Sequence, residues 1–253
     1  MPSSAECGSA LREIAPGVLV STSRTMQTNT TVIVDSGRAL LVDPAWMPDE
    51  LAALARELRE RGITVVEGFA THAHHDHVLW HPEFGDVPRW ASARTAELAR
   101  TERADLVAAL GPAFSDDLVD LMGRVGAGIP AFDVELIVHD GHAPGHTALW
   151  LPEPRVLVAG DMLSDVELPL PFWPDDVPAY ERALDALEPY ADAARLVIPG
   201  HGNVGTDARA RLDADRRYLT DVRRTGRSND PRRANEGMDA EYAHLQELLG
   251  RQP

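Results

Sequence analysis

Five of the 10 histidines of this 253-residue chain crowd into one segment, "THAHHDHVLW" at residues 71–80 with His81 directly after it. Imidazole nitrogen and carboxylate oxygen are the donors preferred by zinc and similar divalent ions. In extended backbone, residues two apart point the same way, so His72 and His74 can face one ion together. Past a turn, Asp76 and His77 can face a second. Two ions need more donors than one segment supplies, and three stand at the ends of apolar runs: His146 in "HAPGHTALW", Asp161 closing "RVLVAGD" and His201 closing "RLVIPGHG". Glycines beside His146 and His201 permit close approach of backbone and ion. A carboxylate can bridge two cations, which makes Asp161 the natural shared ligand. The remaining histidines read differently. His75 should point away from His74, and His81 precedes Pro82, where a short helix would stop. His142 is separated from His146 by "APG", which precludes a helical pair, and is expected behind the site or on the surface. His139 ends a strand, and His244 sits on a terminal helix facing solvent.

Around these residues the elements alternate. "GVLVSTS", "TTVIVDSG" and "RALLVDP" are β-branched and bounded by Gly, Ser and Pro, as strands are, with "DSGR" a hairpin turn. "MPDELAALARELRERG" carries an apolar stripe at Leu51, Leu54, Ala55 and Leu58, and Gly62 ends it as a helix. "ITVVEGFATH" returns as a strand running into the histidines. Residues 92–126 are mainly helical, with Ser92 as an N-cap. Strands "VELIVH", "TALWLP" and "RVLVAGD", helix "AYERALDALEPY" and strand "ARLVIPGHG" follow. Two terminal helices, about 207–225 and 237–249, are joined by the polar linker "GRSNDPRRANEG". Strands interleaved with helices in two groups suggest an α/β protein with two sheets packed face to face and helices outside, a pattern that a simpler three-layer α/β fold would share; it is read as a single domain over 1–253 with the terminal helices at about 207–250.

Bulk composition narrows the function. The net charge of −16 repels phosphate backbones and anionic membranes, so neither nucleic acid nor a membrane is expected as a partner. The basic residues are all arginine, which removes any lysine-based chemistry. Cys7 is the only cysteine, so no internal disulfide forms and it reads as a spectator. Neither a signal peptide nor an 18-residue apolar run is visible, which points to the cytoplasm.

The series H-x-H-x-D-H at 72–77, Gly-His-Thr at 145–147, Gly-Asp at 160–161 and Pro-Gly-His-Gly at 199–202 resembles the metallo-β-lactamase superfamily. That resemblance implies a four-layer αββα sandwich with metals at one edge. It assigns His72, His74 and His146 to a first ion, Asp76, His77 and His201 to a second, and Asp161 to both. It gives Asp43, in "LLVDP", a supporting role behind the ligands. The implied cofactors are two Zn(II) ions, with Fe or Mn as alternatives. The implied enzyme is a metal-dependent hydrolase in which a metal-bridging hydroxide attacks and Asp76 orients it and passes a proton to the leaving group.

The chain departs from the better-known branches of the family. Val78 and Leu79 stand where a glycine pair is usual, "GHGNVG" replaces the His-Glu-Tyr of glutathione thioesterases, and Ser164 stands where lactonases of this fold carry a tyrosine. The apolar, proline-rich stretch "LSDVELPLPFWPDD" at 163–176 suggests a pocket cover with Phe172 and Trp173, and Trp46 and Trp80 suggest an apolar wall. Such a pocket favours an ester, lactone or thioester of a small molecule. The alternatives are β-lactam or phosphodiester hydrolysis on the same fold, or a mononuclear iron persulfide dioxygenase. The terminal helices are free to pack on the core or to build a homodimer.

Overall fold

The computed structural model describes residues 11–171 and 176–250. The chain forms two compact units, Met1–Asp133 and Val134–Pro253, each built around its own sheet. Among the described residues are 11 strands and seven α-helices, so the α/β class read from the sequence is the one observed. None of these helices is long and apolar enough to cross a membrane.

In the first unit the sheet runs in sequence order, β1 (Arg12–Ala15), β2 (Val18–Thr22), β3 (Asn29–Asp35), β4 (Arg38–Val42), β5 (Thr64–Phe69), β6 (Arg89–Ala91) and β7 (Gly126–Ala127). β1 to β4 form an antiparallel meander, and β5, β6 and β7 add in parallel. The hairpin between β3 and β4 turns at Ser36 and Gly37, both with positive φ (51° and 78°), which matches the twist of the flanking strands. Helix α1 (Pro48–Glu60) buries Leu51, Leu54, Ala55 and Leu58, the stripe its periodicity predicts. Helices α2 (Ala93–Thr101), α3 (Arg103–Leu110) and α4 (Asp116–Leu121) follow, and Ser92 caps α2 by accepting the Thr95 N–H. Leu41, Leu51, Leu58, Ala91, Leu98 and Met122 belong to one apolar cluster under these helices.

The second unit has a four-stranded sheet ordered β11 (Leu196–Pro199), β10 (Val156–Gly160), β9 (His146–Leu151) and β8 (Glu135–His139). β8, β9 and β10 are antiparallel, and β11 joins β10 in parallel. Every residue of β9 and β10 is buried. Helices α5 (Val177–Ala193), α6 (Ala208–Thr225) and α7 (Met238–Gly250) contribute Tyr180, Leu184, Leu212, Leu219 and Tyr242 to a second apolar cluster. The linker before α7 folds into a 3-10 turn over Pro231–Ala234.

Candidate active site

The histidine-rich segment leaves the C-terminal end of β5, the strand end at which open α/β sheets present residues for chemistry. It is not extended. Pairing stops at Phe69 with Trp90, and residues 72–77 follow bends and a turn closed by the His77 N–H donating to the His74 carbonyl at 3.1 Å. The backbone is diverted because Asp43, just past β4, takes the Thr71 N–H at 2.8 Å. The expectation that His72 and His74 converge through strand alternation is therefore corrected. They converge through the bend, with His72 Nε2 and His74 Nδ1 at 2.9 Å.

Asp43 is 2% exposed and orders the ring protons behind the segment. Its Oδ2 accepts the Thr71 hydroxyl at 2.6 Å and faces His77 Nδ1 at 2.9 Å. A carboxylate can only accept, so the proton of neutral His77 sits on Nδ1 and the Nε2 lone pair points forward. Thr71 Oγ1 has spent its hydrogen on Asp43 and lies 3.0 Å from His72 Nδ1. The same logic puts the His72 proton on Nδ1 and leaves Nε2 unprotonated. His77 Nε2 lies 3.2 Å from Asp76 Oδ2, and His72, Asp76 and His77 are all buried. Two forward lone pairs, a third, half-buried imidazole and a carboxylate are thus held in one segment. A carboxylate behind a histidine is the usual means of presenting imidazole to a divalent ion.

The second unit gathers another donor set at the ends of β10 and β11. Asp161 Oδ2 lies 3.2 Å from His142 Nε2 and 3.4 Å from His201 Nε2. His142 Nδ1 donates to the Leu170 carbonyl at 2.9 Å, so its Nε2 is the nitrogen without a proton. Gly200 is required beside Asp161, because a Cβ there would stand 1.9 Å from Asp161 Oδ1. His146 begins β9 in register with His139, stacks on that ring at 4.7 Å, and accepts the Asp161 N–H on Nε2 at 3.0 Å. His142, four residues earlier, is the histidine whose ring faces the Asp161 carboxylate, lifted out of the ladder by a turn in which it adopts φ 62°. The available signal was a repeat: "GHAPGH" offers two Gly-His pairs, and only the strand register separates them.

His75 stays out of both sets, edge-on against Trp46 with ring centroids 4.8 Å apart. Trp46 is buried between His75 and Phe114. Trp80 packs in the first unit's core against Phe84, donates to the Gly85 carbonyl at 3.1 Å, and lies under the Arg89 guanidinium. His81 caps the turn at Pro82–Phe84 by accepting the Glu83 N–H, and burial lowers its pKa. His244 is exposed on α7. Of the stretch 163–176, Leu163 and Leu168 are core residues, while Phe172 and Trp173 lie outside the described residues. Tyr180 is fully buried on α5, and desolvation first, then the field of Asp215, pushes its phenol well above the ordinary range, so it is no base.

Both donor sets consist of imidazole nitrogens and carboxylate oxygens, and the ring protons of His72, His77 and His142 are held from behind. That chemistry fits divalent ions of the zinc kind.

Comparison with known proteins agrees. The family model described as the Metallo-beta-lactamase superfamily matches residues 23–201. The Probable metallo-hydrolase YflN of Bacillus subtilis (strain 168) is 30% identical over 214 residues, 69% of this chain and 79% of that protein. A Beta-lactamase domain protein from Burkholderia ambifaria superposes with TM-score 0.65 at 20% identity, covering 98% of this chain and 90% of that one. A metallo-beta-lactamase family protein from Thermus thermophilus gives TM-score 0.62 at 22% identity, with 83% of each chain covered. The chain belongs to the metallo-beta-lactamase superfamily, a family of metallo-hydrolases.

Proposed function

We propose that the protein hydrolyses an acyl-type bond, in an ester, lactone or thioester of a small molecule, with two divalent ions, zinc in the first instance. His72, His74, Asp76, His77, His142, Asp161 and His201 would hold them. When bound, such ions lower the pKa of water towards neutrality and polarise the scissile carbonyl. The observation that carries this reading is the set of ring protons fixed from behind. Asp43, Thr71 and the Leu170 carbonyl leave His77, His72 and His142 each with one lone pair directed forward.

The residues have distinct tasks. Asp76, buried and 3.2 Å from His77 Nε2, would orient the attacking water and carry its proton to the leaving group. Asp161 supplies the negative charge between His142 and His201. Trp46 beside the partly exposed His75 supplies an apolar surface next to the ligand segment, which suits an acyl group. The charge of −16 disfavours a polyanionic substrate.

The test is metal quantification of purified protein together with a substrate panel of thioesters, lactones, simple esters, phosphodiesters and β-lactams, and an oxygen electrode. About two equivalents of metal, acyl hydrolysis lost on chelation and regained with zinc, and no oxygen uptake are the expected result. One equivalent of iron with oxygen consumed, or turnover confined to phosphodiesters or β-lactams, would overturn the proposal.

A further inference from the structure

Behind His201 runs a line of buried polar groups that the hydrolytic chemistry does not use. Asp215 on α6 is 1% exposed and accepts from Arg232 Nη1 at 2.6 Å and from the Leu163 backbone. The same Nη1 donates to the Ser164 carbonyl at 2.9 Å, while Nε and Nη2 hold Asp230 Oδ1 and Oδ2 at 3.0 and 2.8 Å. Ser164 stands three residues after Asp161, and its hydroxyl donates to the His201 carbonyl at 2.8 Å. That hydroxyl also accepts the N–H groups of Val166 and Glu167 at 3.1 and 2.9 Å. A second buried guanidinium, Arg211, donates to the carbonyls of Leu163 and Asn203 at 3.3 and 3.0 Å, and so grips the same two loops from the other side.

We propose that Arg232 is a positioning residue for the metal site, setting the backbone of His201 through Ser164. A planar guanidinium with five donors can hold Asp215, Asp230 and the Ser164 carbonyl in one fixed geometry, which no other side chain can do. If it served only to fasten the 3-10 turn to α6, its bonds to Asp215 and Asp230 would suffice. The bond to the Ser164 carbonyl and the bond from Ser164 Oγ to His201 tie that anchor to a ligand. The anchor is also open from behind. A cavity of about 440 Å³ in this unit is lined by Ser164, Arg211, Tyr218 and Arg232, which gives a free guanidinium ion room to enter once the arginine side chain is removed.

This inference rests on the reading of His201 as a ligand, and the experiment separates the two. Full-length protein stripped of metal is titrated with zinc against a chromophoric chelator, and the ligand-field spectrum of the cobalt(II) form is recorded, for the natural chain, Ser164→Ala and Arg232→Ala. Outer-shell losses typically cost about 10–100-fold in metal affinity, and the expectation here is about tenfold for both variants with an altered cobalt spectrum. Added guanidinium chloride, well below denaturing concentration, should restore the Arg232→Ala protein and leave Ser164→Ala unchanged. If Arg232→Ala does not fold, Ser164→Ala decides alone. Unchanged zinc affinity and cobalt spectrum in Ser164→Ala, or a loss in Arg232→Ala that guanidinium does not restore, would overturn the positioning role. Failure of the natural chain to bind zinc would instead overturn the proposed function.

Discussion

Replacing Asp43 by asparagine isolates the device that orients the ligands. Three donors converge on this carboxylate: Thr71 N–H on Oδ1 at 2.8 Å, and Thr71 O–H and His77 Nδ1 on Oδ2 at 2.6 and 2.9 Å. An amide can meet them in two ways. With its oxygen at the Oδ2 position, its NH2 faces the Thr71 N–H, and two buried donors oppose each other at about 1–3 kcal/mol. With its oxygen at Oδ1, the NH2 faces His77 Nδ1, and that ring adapts by moving its proton to Nε2. The Thr71 hydroxyl rotates to accept from the amide and to donate to His72 Nδ1, whose proton likewise moves to Nε2. The second arrangement leaves every buried group satisfied, so it is the one expected. Its cost therefore falls on the ligand and not on the fold, because the proton now occupies the nitrogen meant for the ion. Zinc affinity should drop about 10–100-fold, or ~1.4–2.7 kcal/mol. The apo protein should lose at most about 1 kcal/mol, the scale of one exchanged hydrogen bond. Chelator competition measures the first, calorimetry of the apo form the second, and long-range nitrogen–proton NMR the His77 tautomer. Unaltered zinc affinity with the His77 proton moved to Nε2 would refute the argument that Asp43 acts through that proton.

Two further outcomes follow from the second unit. His142→Ala should lose metal, with about 1 kcal/mol lost for its bond to the Leu170 carbonyl, whereas His146→Ala should keep metal and lose about 1–3 kcal/mol, since the Asp161 N–H loses that acceptor. Mass-spectrometric metal counts beside melting curves distinguish these, and the opposite pattern would return His146 to the ligand set. Asp215 has its pKa pushed up to about 6 by burial, against the pull of Arg232. A folded-state value above the unfolded one of about 3.9 means that the folded chain holds this proton more tightly, so its contribution is full below pH 4 and fades as pH rises through about 6. Relative to Asp215→Asn, the natural chain should lose on the order of 3 kcal/mol between pH 4 and pH 7, and a flat difference in urea-unfolding free energy across that window would contradict it.

What could be read in the sequence, and what could not, divides along physical lines. β2 to β5 and β8 to β11 announce themselves because each carries its own β-branched, apolar run. β1, β6 and β7, with four, three and two residues, are strands only because a neighbour offers them a ladder. "RWA" and "GA" hold no period of their own, and no local pattern could have found them. The ligand segment was legible by donor type, yet its geometry was not. His72 and His74 meet in a bend whose shape is dictated by Asp43, 28 residues before Thr71. His142 and His146 pose a related problem. Two Gly-His pairs four residues apart are chemically equal in the sequence, and only the pairing of His146 with His139 sets them apart. The linker "GRSNDPRRANEG" misleads most. Its composition is that of a solvated loop, but Arg232 within it is 7% exposed. A guanidinium can be buried where carboxylates and carbonyls converge on it, and its partners here are Asp215, 17 residues away, and Ser164, 68 residues away. Hydrophobic periodicity records what a segment buries against its own neighbours, so it is silent about polar groups whose burial is made possible from elsewhere in the chain. The residues that hold His72, His77, His142 and His201 in place are of that second kind.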